Sequence, residues 1–346
     1  MQSIQTVSEN TIYVGASDRR LAKFENLFPI PRGVSYNAYV ILDEKTALLD
    51  TADASVGAQF LENVAAALDG RKLDYLIVDH MEPDHAAMIE AVLVRWPDLR
   101  LVVNAKTLPM LKMYFPTDGA AFDDALVVKE GDTLDLGKHK LTFVMAPMVH
   151  WPEVMVTYES SEKILFSADG FGKFGALDYE DPEGWACEAR RYYFNIVGKY
   201  GAPVQALLKK AAGLDIQTIC PLHGPVLNEN LGYYIGLYDT WSSYKPEDKG
   251  VLVAYASIHG NTAKAARKFA EMLRAKGVEK VSVMDLSRDD MAEVVEDAFR
   301  YDRMVLAAAS YDGGVFPCMQ DFLHHLQSKA FQNRTCLLYT SPSPRD

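Results

Sequence analysis

The sequence predicts an α/β protein of two domains, a four-layer sandwich with two β sheets inside and helices outside, followed by a doubly wound parallel sheet. The chain has 346 residues, which is too long for one ordinary core. Residues 1–246 contain groups of apolar, strand-length runs separated by helices, and this succession repeats loosely once in each half. From Val251 onwards, strands and helices alternate one by one, which is typical of parallel βαβ units.

The elements of the first domain, residues 1–246, follow from apolar runs bounded by turn residues and from helical spacing. The predicted strands are Thr11–Val14, Tyr39–Leu42, Thr46–Asp50, Tyr75–Val78, Leu101–Val103, Ala125–Val128, Thr133–Leu136, Leu141–Met145, Val154–Tyr158 and Ile164–Ser167. The predicted helices are Ser55–Leu68, Ala86–Arg95, Lys106–Met113, Ala186–Tyr200 and Val204–Ala212.

A polar segment with Pro246, Trp241–Gly250, marks the boundary before the second domain, residues 250–335. The predicted strands of this domain are Val251–Ala256, Val281–Leu286 and Met304–Ala309. Its predicted helices are Asn261–Lys276, Asp290–Phe299 and Met319–Gln327. Residues 336–346 do not continue the alternation, and we interpret them as a non-native tail on a truncated, incomplete sheet.

Composition argues against several classes of function. A net charge of −12 disfavours nucleic acid and anionic membrane surfaces as partners, because both attract a basic face. The N-terminus lacks the basic-then-apolar pattern of a signal peptide, and no apolar run is long enough to span a membrane. The four cysteines are far apart and form no CxxC motif, which excludes a zinc ribbon and a rubredoxin-type iron site. We interpret them as free thiols in a cytoplasmic protein.

A turn rich in metal-ligand residues follows the buried run Tyr75–Val78. The segment His80-Met81-Glu82-Pro83-Asp84-His85 offers two imidazoles and two carboxylates, and its proline bends the backbone between them. A solvated loop with two incidental histidines is the alternative interpretation of this turn alone.

Three further ligand types, His150, Asp169 and His223, stand at the ends of later apolar runs. Taken singly, each is as readily explained as a capping aspartate or a hydrogen-bonded histidine. Because all three share this context with the turn, we predict that they join it in one site. Seven ligands exceed the needs of one tetrahedral zinc ion, so we predict two metal ions and no further catalytic residue.

One division of these ligands gives each ion three side chains of its own. His80, Glu82 and His150 would bind one ion, and Asp84, His85 and His223 the other. Asp169 would bridge the two ions, since a carboxylate has two oxygens and a neutral imidazole cannot span two metals.

The second domain has two loops at strand ends, where doubly wound sheets bind ligands. The first, Ser257-Ile258-His259-Gly260-Asn261-Thr262, opens a helix, and its backbone N–H groups can point at one phosphate. It matches neither GxGxxG nor GxxxxGK[ST], so dinucleotides and ATP are not indicated. The second, Ser310-Tyr311-Asp312-Gly313-Gly314, has a tyrosine that could lie against a flat ring. Plain glycine turns are the alternative, but together the loops resemble those of a flavodoxin, which binds FMN.

The ligand turn resembles that of the metallo-β-lactamase superfamily, whose hydrolases carry His-x-His-x-Asp-His there. In this sequence Glu82 stands in place of the second histidine. Hard carboxylates beside imidazoles favour iron over zinc. With Glu82, Asp84 and Asp169, three carboxylates would face the two metals, as in other di-iron carboxylate proteins.

A β-lactamase-like domain with this glutamate, fused to a flavodoxin-like domain, resembles the flavodiiron protein family. The resemblance covers residues 1 to about 335 and implies a metallo-β-lactamase-like αββα sandwich before the flavodoxin-like sheet. The motifs that carry it are His80-x-Glu82-x-Asp84-His85, His150-Trp-Pro-Glu, Ser167-Ala-Asp169, Pro221-Leu-His-Gly224 and the Ser257–Thr262 loop.

This resemblance implies an oxidoreductase that reduces O2 to water, NO to N2O, or both. Two ferrous ions per chain can bind one O2 or two NO and supply two electrons, and FMN can supply two more. The expected partners are a rubredoxin-like electron donor and a second copy of the chain. In the family, a head-to-tail homodimer, or a dimer of such dimers, places the flavin of one subunit against the di-iron site of the other.

This sequence departs from the family pattern at two places. The second flavin loop typically reads Ser-Pro-Thr-Tyr-Asn-Gly-Gly, and here it reads Ala308-Ala-Ser-Tyr-Asp-Gly-Gly314. Asp312 removes an amide donor and adds negative charge, which would lower the reduction potential of the flavin. The third flavin loop would follow residue 336, where Tyr339–Asp346 stand instead, so that retention of FMN by this chain is an open question.

Two rival functions are a zinc hydrolase with an appended flavodoxin domain and an electron-shuttle module whose first domain is only a scaffold. Glu82 argues against the first rival, and the seven intact ligands argue against the second. Around the site, we expect Trp151 and Tyr193 to be core residues, the alternative being that they lie close to the site and steer gas binding. Asp50 is expected either to orient a ligand imidazole or to cap a strand end. We interpret the remaining candidate histidines as surface residues: His139, His324 and His325.

Overall fold

A computed structural model describes residues 3–115, 119–179 and 181–338. The chain divides into two compact units. The first contains the residues up to Ala189 together with Ala206–Tyr234, and the second contains Arg190–Gln205 together with the residues from Ile235 onwards. Among the described residues, no helix combines the length and the apolarity needed to cross a bilayer.

The first unit is built on short strands that alternate with helices. Its strands are β1 (Gln5–Thr6), β2 (Thr11–Tyr13), β3 (Ala16–Asp18), β4 (Lys23–Phe24), β5 (Phe28–Pro29), β6 (Val34–Tyr36), β7 (Tyr39–Ile41), β8 (Ala47–Leu49), β9 (Tyr75–Ile77), β10 (Arg100–Asn104), β11 (Leu126–Val128), β12 (Thr133–Asp135), β13 (Lys140–Met145), β14 (Met155–Glu159), β15 (Ile164–Phe166) and β16 (Thr218–Cys220). The helices along the same stretch are α1 (Gly57–Leu68), α2 (Pro83–Ala86), α3 (Ile89–Arg95), α4 (Thr107–Tyr114), α5 (Gly119–Asp123), α6 (Trp185–Tyr192), α7 (Gly201–Ala211) and α8 (Leu231–Ser242), the last three of which belong partly to the second unit.

Two sheets form the sandwich that the sequence predicts. The seven-stranded sheet has the order β1-β2-β7-β8-β9-β10-β11, and the five-stranded sheet has the order β12-β13-β14-β15-β16. Both contribute to one apolar core, in which Tyr39 and Val102 of the first sheet join Phe143 and Phe166 of the second. The rings of Tyr39 and Phe166 lie 5.4 Å apart.

One edge of this sandwich receives the ends of several strands. In the first sheet β8, β9 and β10 run parallel, and in the second sheet β15 runs parallel to β16. β13 points the same way as β15, because both are antiparallel to β14 between them. The segments that follow β9, β13, β15 and β16 therefore leave the sheets at one edge, and these segments carry the predicted metal ligands.

Two of the predicted helices differ in detail from the prediction. The predicted helix Ala86–Arg95 is preceded by a separate helix, α2, and itself begins only at Ile89. Pro83 occupies the first turn of α2, where its missing N–H costs no hydrogen bond. The predicted helix Ala186–Tyr200 is α6 followed by a π-helical turn, Tyr193–Val197, and a short 3-10 turn that begins at Gly198.

The second unit contains the predicted parallel sheet. Its strands are β17 (Asp248–Ala256), β18 (Val281–Asp285), β19 (Tyr301–Ala308), β20 (Ser310–Tyr311), β21 (Gly314–Val315) and β22 (Thr335–Leu338), and its own helices are α9 (Asn261–Ala275), α10 (Met291–Arg300) and α11 (Pro317–Ser328). The sheet order is β18-β17-β19-β22, with every pair parallel.

The structure adds detail at the two ends of this unit. Within the polar segment Trp241–Gly250, α8 runs to Ser242 and β17 begins at Asp248. β22 was not predicted, since a four-residue run shows no period of its own and becomes a strand only by pairing with β19. It includes Cys336 to Leu338 of the predicted tail, whereas residues 339–346 lie outside the described residues.

Candidate metal centre and flavin loops

The fold brings all seven predicted metal ligands together at the strand-end edge of the first unit, and all seven are buried. His80 and Glu82 lie in the loop after β9, and Asp84 and His85 lie in α2 directly behind it. The other three come from segments that are distant in sequence, after β13, β15 and β16: His150, Asp169 and His223.

One group of donors gathers around Oδ2 of Asp169. His150 Nε2 lies 2.9 Å from this oxygen and 3.0 Å from Glu82 Oε2. His80 Nε2 lies 3.3 Å from the same glutamate oxygen and 3.5 Å from Asp169 Oδ2. Two imidazoles and two carboxylates thus converge on one point.

A second group gathers around the other oxygen of Asp169. His85 Nε2 lies 3.2 Å from Asp169 Oδ1 and 3.3 Å from Asp84 Oδ2. His223 Nε2 lies 3.2 Å from Asp84 Oδ2, 3.8 Å from Asp169 Oδ1 and 3.1 Å from His85 Nε2. The two oxygens of one carboxylate therefore separate the donors into the two sets that the sequence predicts.

The chemistry of these donors fits metal ions. Donors bound at about 2.0–2.2 Å to one ion stand roughly 3–3.5 Å apart, and most spacings within the two groups fall in that range. His223 Nδ1 lies 2.7 Å from the Ser35 carbonyl, which accepts its proton, so that the Nε2 lone pair faces the second group. Asp84 Oδ1 is buried and accepts no hydrogen bond from any described residue. Buried acceptors of this kind are expected where a cation belongs.

The electrostatics point the same way. Burial would raise the pKa of Asp169, but the surrounding imidazoles of His85, His80 and His150 hold it well below its usual range. Burial likewise opposes a charge on His80, yet Asp169, Glu153 and Glu82 hold its pKa well above normal. The carboxylates thus impose a strong negative potential on the buried imidazoles, which cations at the centre of the cluster would neutralise.

The first flavin loop, Ser257–Thr262, joins β17 to α9. Its turn is closed by the Gly260 N–H, which donates to Ser257 Oγ at 3.0 Å. Gly260 has φ +88°, a conformation that costs other residues free energy. Asn261 begins α9, and the N–H groups in the first turn of a helix have no partner within that helix. The loop therefore offers backbone donors to an anion.

The second flavin loop leaves the sheet beside the first, because Ala256 at the end of β17 pairs with Ala308 at the end of β19. It forms a hairpin of β20 and β21. Asp312 and Gly313 have φ +48° and +74°, as a two-residue type I′ turn requires. Tyr311 is 48% exposed, and its ring centroid lies 5.7 Å from that of Phe316 with the two ring planes nearly perpendicular. The exposed part of this tyrosine is accessible to a ligand.

Comparison with known proteins matches each of the two predicted domains to a known family. Residues 34–224 match the family described as ODP family beta lactamase, and residues 252–346 match a flavodoxin domain. The flavodiiron protein from Giardia intestinalis superposes with a TM-score of 0.91 at 25% identity, covering 98% of this chain and 83% of its own. This chain belongs to the flavodiiron protein family. The family predicted from the sequence is confirmed, and so is the pairing of a lactamase-like with a flavodoxin-like fold.

Two further relatives and another solved structure cover a similar share of the chain. A protein named nitric oxide reductase from Moorella thermoacetica is 30% identical over 96% of this chain and 84% of its own length. An uncharacterized protein from Methanocaldococcus jannaschii is 32% identical over 92% of this chain and 80% of its own. The rubredoxin oxygen:oxidoreductase of Desulfovibrio gigas superposes with a TM-score of 0.89 at 27% identity, covering 97% and 85% of the two chains.

Glu153 is a residue of this flavodiiron site that sequence reasoning did not single out. His80 Nδ1 lies 2.8 Å from Glu153 Oε1, which also accepts the Met81 N–H at 2.9 Å. The carboxylate thereby fixes the ring of His80 with Nε2 towards the cluster. The only sequence feature that pointed to Glu153 was its place in the motif His150-Trp-Pro-Glu. Its contact with His80 joins residues 73 positions apart, and local sequence patterns do not predict such a contact.

The hydrogen bonds of Asp50 distinguish between its two predicted roles. Its Oδ1 accepts the backbone N–H groups of Asp79 and His80 at 2.9 and 3.1 Å. Asp50 therefore fixes the backbone of the ligand loop and does not hydrogen-bond an imidazole. Burial raises its pKa to about 7.

The two aromatic candidates, Tyr193 and Trp151, lie in different environments. Tyr193 is a core residue as predicted, with its ring 5.1 Å from that of Tyr238 in the second unit. Trp151 was also expected in the core, but it is partly exposed and lies edge-on to His80 at 5.5 Å. The reason is local, since Trp151 directly follows the ligand His150 in the loop that turns towards the cluster.

The prediction that His139 lies at the surface is wrong. Its side chain is buried, and Nδ1 lies 2.7 Å from Asp43 Oδ2. Lys138 and Lys140 are exposed on either side of it, so the period-two alternation that precedes β13 turns His139 inward. His324 is exposed as expected, and His325 is partly buried.

Proposed function

We propose that this flavodiiron protein reduces O2 to water, NO to N2O, or both, at a di-iron centre that receives electrons through FMN. The observation that carries the proposal is the division of seven buried donors into two groups by the two oxygens of Asp169. The relatives support it by name, one as a nitric oxide reductase and one as a rubredoxin oxygen:oxidoreductase. Since the two names cover both gases, both substrates stay in the proposal.

In this proposal each iron has three ligands of its own and shares Asp169. His80, Glu82 and His150 would hold one ion, and Asp84, His85 and His223 the other. Glu82 is the ligand that favours iron, because a hard carboxylate replaces an imidazole there. When bound, the di-iron centre would supply open coordination positions for the gas and electrons for its reduction.

The protein's part in the reaction is to hold these ligands and admit the gas. Glu153 and the Ser35 carbonyl each accept the outer proton of a ligand histidine and so fix the orientation of the ring. A cleft of about 300 Å³ reaches the carboxylates of Glu82 and Asp84 and is lined on its other sides by residues such as Phe24 and Tyr36. Small gases can use this route, whereas the buried strand-end loops exclude bulk water behind the ligands.

For electron entry, we propose FMN with its phosphate on the Ser257–Thr262 loop and its ring against Tyr311. Both loops start at the same level of the sheet, and both present exposed groups to the solvent. The electron donor would be a rubredoxin-like protein, as the name of the Desulfovibrio gigas neighbour suggests. We further propose a head-to-tail homodimer, which light scattering of the purified protein would test.

The first experiment is metal and flavin analysis of the purified protein, followed by O2 uptake and anaerobic NO consumption with a reduced donor. We expect two irons per chain and turnover of at least one gas. Glu82→Ala should lose iron and both activities, whereas Glu62→Gln, an exposed change on α1, should behave as the wild type. A Glu82→Ala protein that kept its iron and its O2 consumption would show that the ligand assignment is wrong.

The same experiment separates the two rival functions. Two zinc ions after expression with iron available, together with esterase or lactamase turnover and no reductase activity, would establish the hydrolase. Flavin without any metal and with no gas consumption would establish the electron shuttle.

A further inference from the structure

A second cluster of metal-ligand side chains lies in the first unit, far along the strands from the di-iron ligands. It contains His139, Glu159 and Glu162, whose ligand atoms all lie within 4.8 Å of one another. His139 precedes β13, Glu159 is the last residue of β14, and Glu162 lies in the turn before β15. Since His150 and Asp169 follow these same strands, the second cluster is at the opposite edge of the sandwich and forms no part of the di-iron site.

His139 is held in the way that proteins hold a metal-binding histidine. Its side chain is 1% exposed, and its backbone N–H and Nδ1 both contact Asp43 Oδ2, at 2.6 and 2.7 Å. A carboxylate on one ring nitrogen leaves a lone pair on the other and fixes its direction. His139 Nε2 is buried and has no hydrogen-bond partner among the described residues. It faces Glu162 Oε2 at 3.8 Å, which is too long for a hydrogen bond.

The two glutamates are both fixed by hydrogen bonds but differ in the acceptor capacity they retain. Glu159 is fully buried, and its oxygens accept the N–H groups of Ser161 and Glu162 at 2.7 and 2.6 Å. Glu162 Oε2 accepts the hydroxyls of Ser8 and Thr11 at 2.5 and 3.0 Å, and its Oε1 accepts the backbone N–H and the side-chain amide of Asn10 at 3.1 and 3.3 Å. Each carboxylate has about four lone-pair positions, so Glu159 has room for a cation, whereas Glu162 would exchange one of its four donors for the cation. The Glu162 side chain is 11% exposed, which provides a route to the solvent.

The charges of the cluster also call for a cation. Burial would raise the pKa of Asp43, but hydrogen bonds from His139 outweigh it and keep the pKa below its usual value. The same competition lowers the pKa of Glu162, where the hydroxyls of Ser8 and Thr11 and the backbone and side-chain N–H groups of Asn10 are the donors. In the described part of the chain, no lysine or arginine side chain pairs with Asp43, Glu159 or Glu162. One histidine thus faces three carboxylates, and a divalent cation between these groups would balance their charge.

We propose that His139, Glu159 and Glu162 bind one divalent transition-metal cation, with Zn²⁺ as the best match, and that Asp43 positions the histidine. An imidazole nitrogen with carboxylate oxygens is a donor set that zinc accepts. Asp43 lies in the turn between β7 and β8 of the seven-stranded sheet, and the three ligands lie at the ends of strands of the five-stranded sheet or in the turn beside them. The ion therefore ties the two sheets together at the edge opposite the reaction, so that its effect is on stability and not on turnover.

The test compares zinc uptake and thermal unfolding in three forms of the iron-loaded protein. His139→Asn keeps a donor near the position of Nδ1, and with it the bond to Asp43, but it removes Nε2. His324→Asn is the matched control at an exposed histidine. After dialysis against Zn²⁺, we expect one zinc per chain beyond the iron, and a higher unfolding midpoint, in the wild type and in His324→Asn. His139→Asn should show neither change, while all three forms keep the same iron content and reductase activity.

Two results would overturn the proposal. One is equal zinc uptake by the wild type and His139→Asn, and the other is no uptake by the wild type beyond its iron. Should His139→Asn fail to fold, Glu162→Gln takes its place, because the amide keeps the size of the group and a hydrogen-bond acceptor but loses the charge. The difference in zinc uptake between the variants is informative whatever metal occupies the seven-donor cluster. The zinc proposal can therefore be wrong while the proposed function is right, and the proposed function can be wrong while the zinc proposal is right.

Discussion

The seven-donor cluster of the first unit and the flavin loops of the second both lie at the ends of strands. They differ in the groups they offer to a ligand, which are side chains in the cluster and mainly backbone atoms in the loops. The cluster consists of buried side chains that converge from four segments of the chain. The flavin loops are exposed and offer mainly backbone N–H groups and one tyrosine ring. A metal site of this kind depends on residue type at each position, whereas the phosphate loop depends on backbone conformation. Substitutions in the cluster should therefore lower iron binding, and substitutions in the loops should lower FMN binding, as the following predictions test.

The largest effect is expected at Asp169, the carboxylate that both donor groups share. Asp169→Ala should lose both irons and reduce O2 and NO turnover by more than the 10- to 100-fold that is typical for partners outside the metal shell. FMN binding should be unchanged, because no part of the flavin loops belongs to the first unit. Iron analysis and flavin absorbance on the same sample measure both. If only one iron is lost, Asp169 does not bridge.

A substitution at Glu153 should also weaken iron binding, but by less than Asp169→Ala. Glu153→Gln keeps the size of the side chain but weakens the acceptor that fixes His80. We expect iron affinity to fall by about 10- to 100-fold, measured by competition with a chelator. The exposed change Glu62→Gln is the control. Unchanged iron affinity would mean that the ring of His80 is oriented by packing against Trp151 alone.

A substitution at Gly260 tests whether FMN binding depends on the backbone conformation of the first flavin loop. Gly260→Ala places a Cβ at φ +88°, which costs roughly 1–2 kcal/mol. Gly277, just after α9, has φ +87°, and a Cβ added at either glycine would meet no atom within 4 Å. We expect both alanine variants to lose similar stability, but only Gly260→Ala to lose FMN affinity, by about tenfold in a fluorescence titration. An equal loss of affinity in both would assign the effect to general destabilisation.

The smallest effect is expected at Asp312, which is exposed at the tip of the second loop. Asp312→Asn removes a negative charge beside the proposed flavin ring and should raise its reduction potential. The expected shift is roughly 30 mV, the two-electron equivalent of a tenfold change. Since salt screens exposed charges, the shift should shrink between low and high ionic strength. A potential that does not move at low salt would place the flavin ring away from this loop.

Sequence alone was sufficient for features that are local in the chain. The turn His80–His85 combines its ligands within six residues, and the Ser257–Thr262 loop is a continuous motif between a strand and a helix. Asp312-Gly313 predicts a turn because few other pairs tolerate two positive φ angles. His150, Asp169 and His223 were predictable for a related reason, since each follows an apolar run and parallel strands end at one edge of a sheet.

Only the tertiary structure decided which distant groups meet. The two oxygens of Asp169 face different donor groups because β15 lies between β14 and β16 in one sheet while the ligand turn comes from the other. Glu153 reaches His80, and Asp43 reaches His139, across 73 and 96 positions of sequence, for which residue type and periodicity carry no signal. The burial of His139 and the pairing of β22 follow from neighbours that long-range packing supplies. Local chemistry thus specified the donors, and the meeting of the two sheets specified their partners.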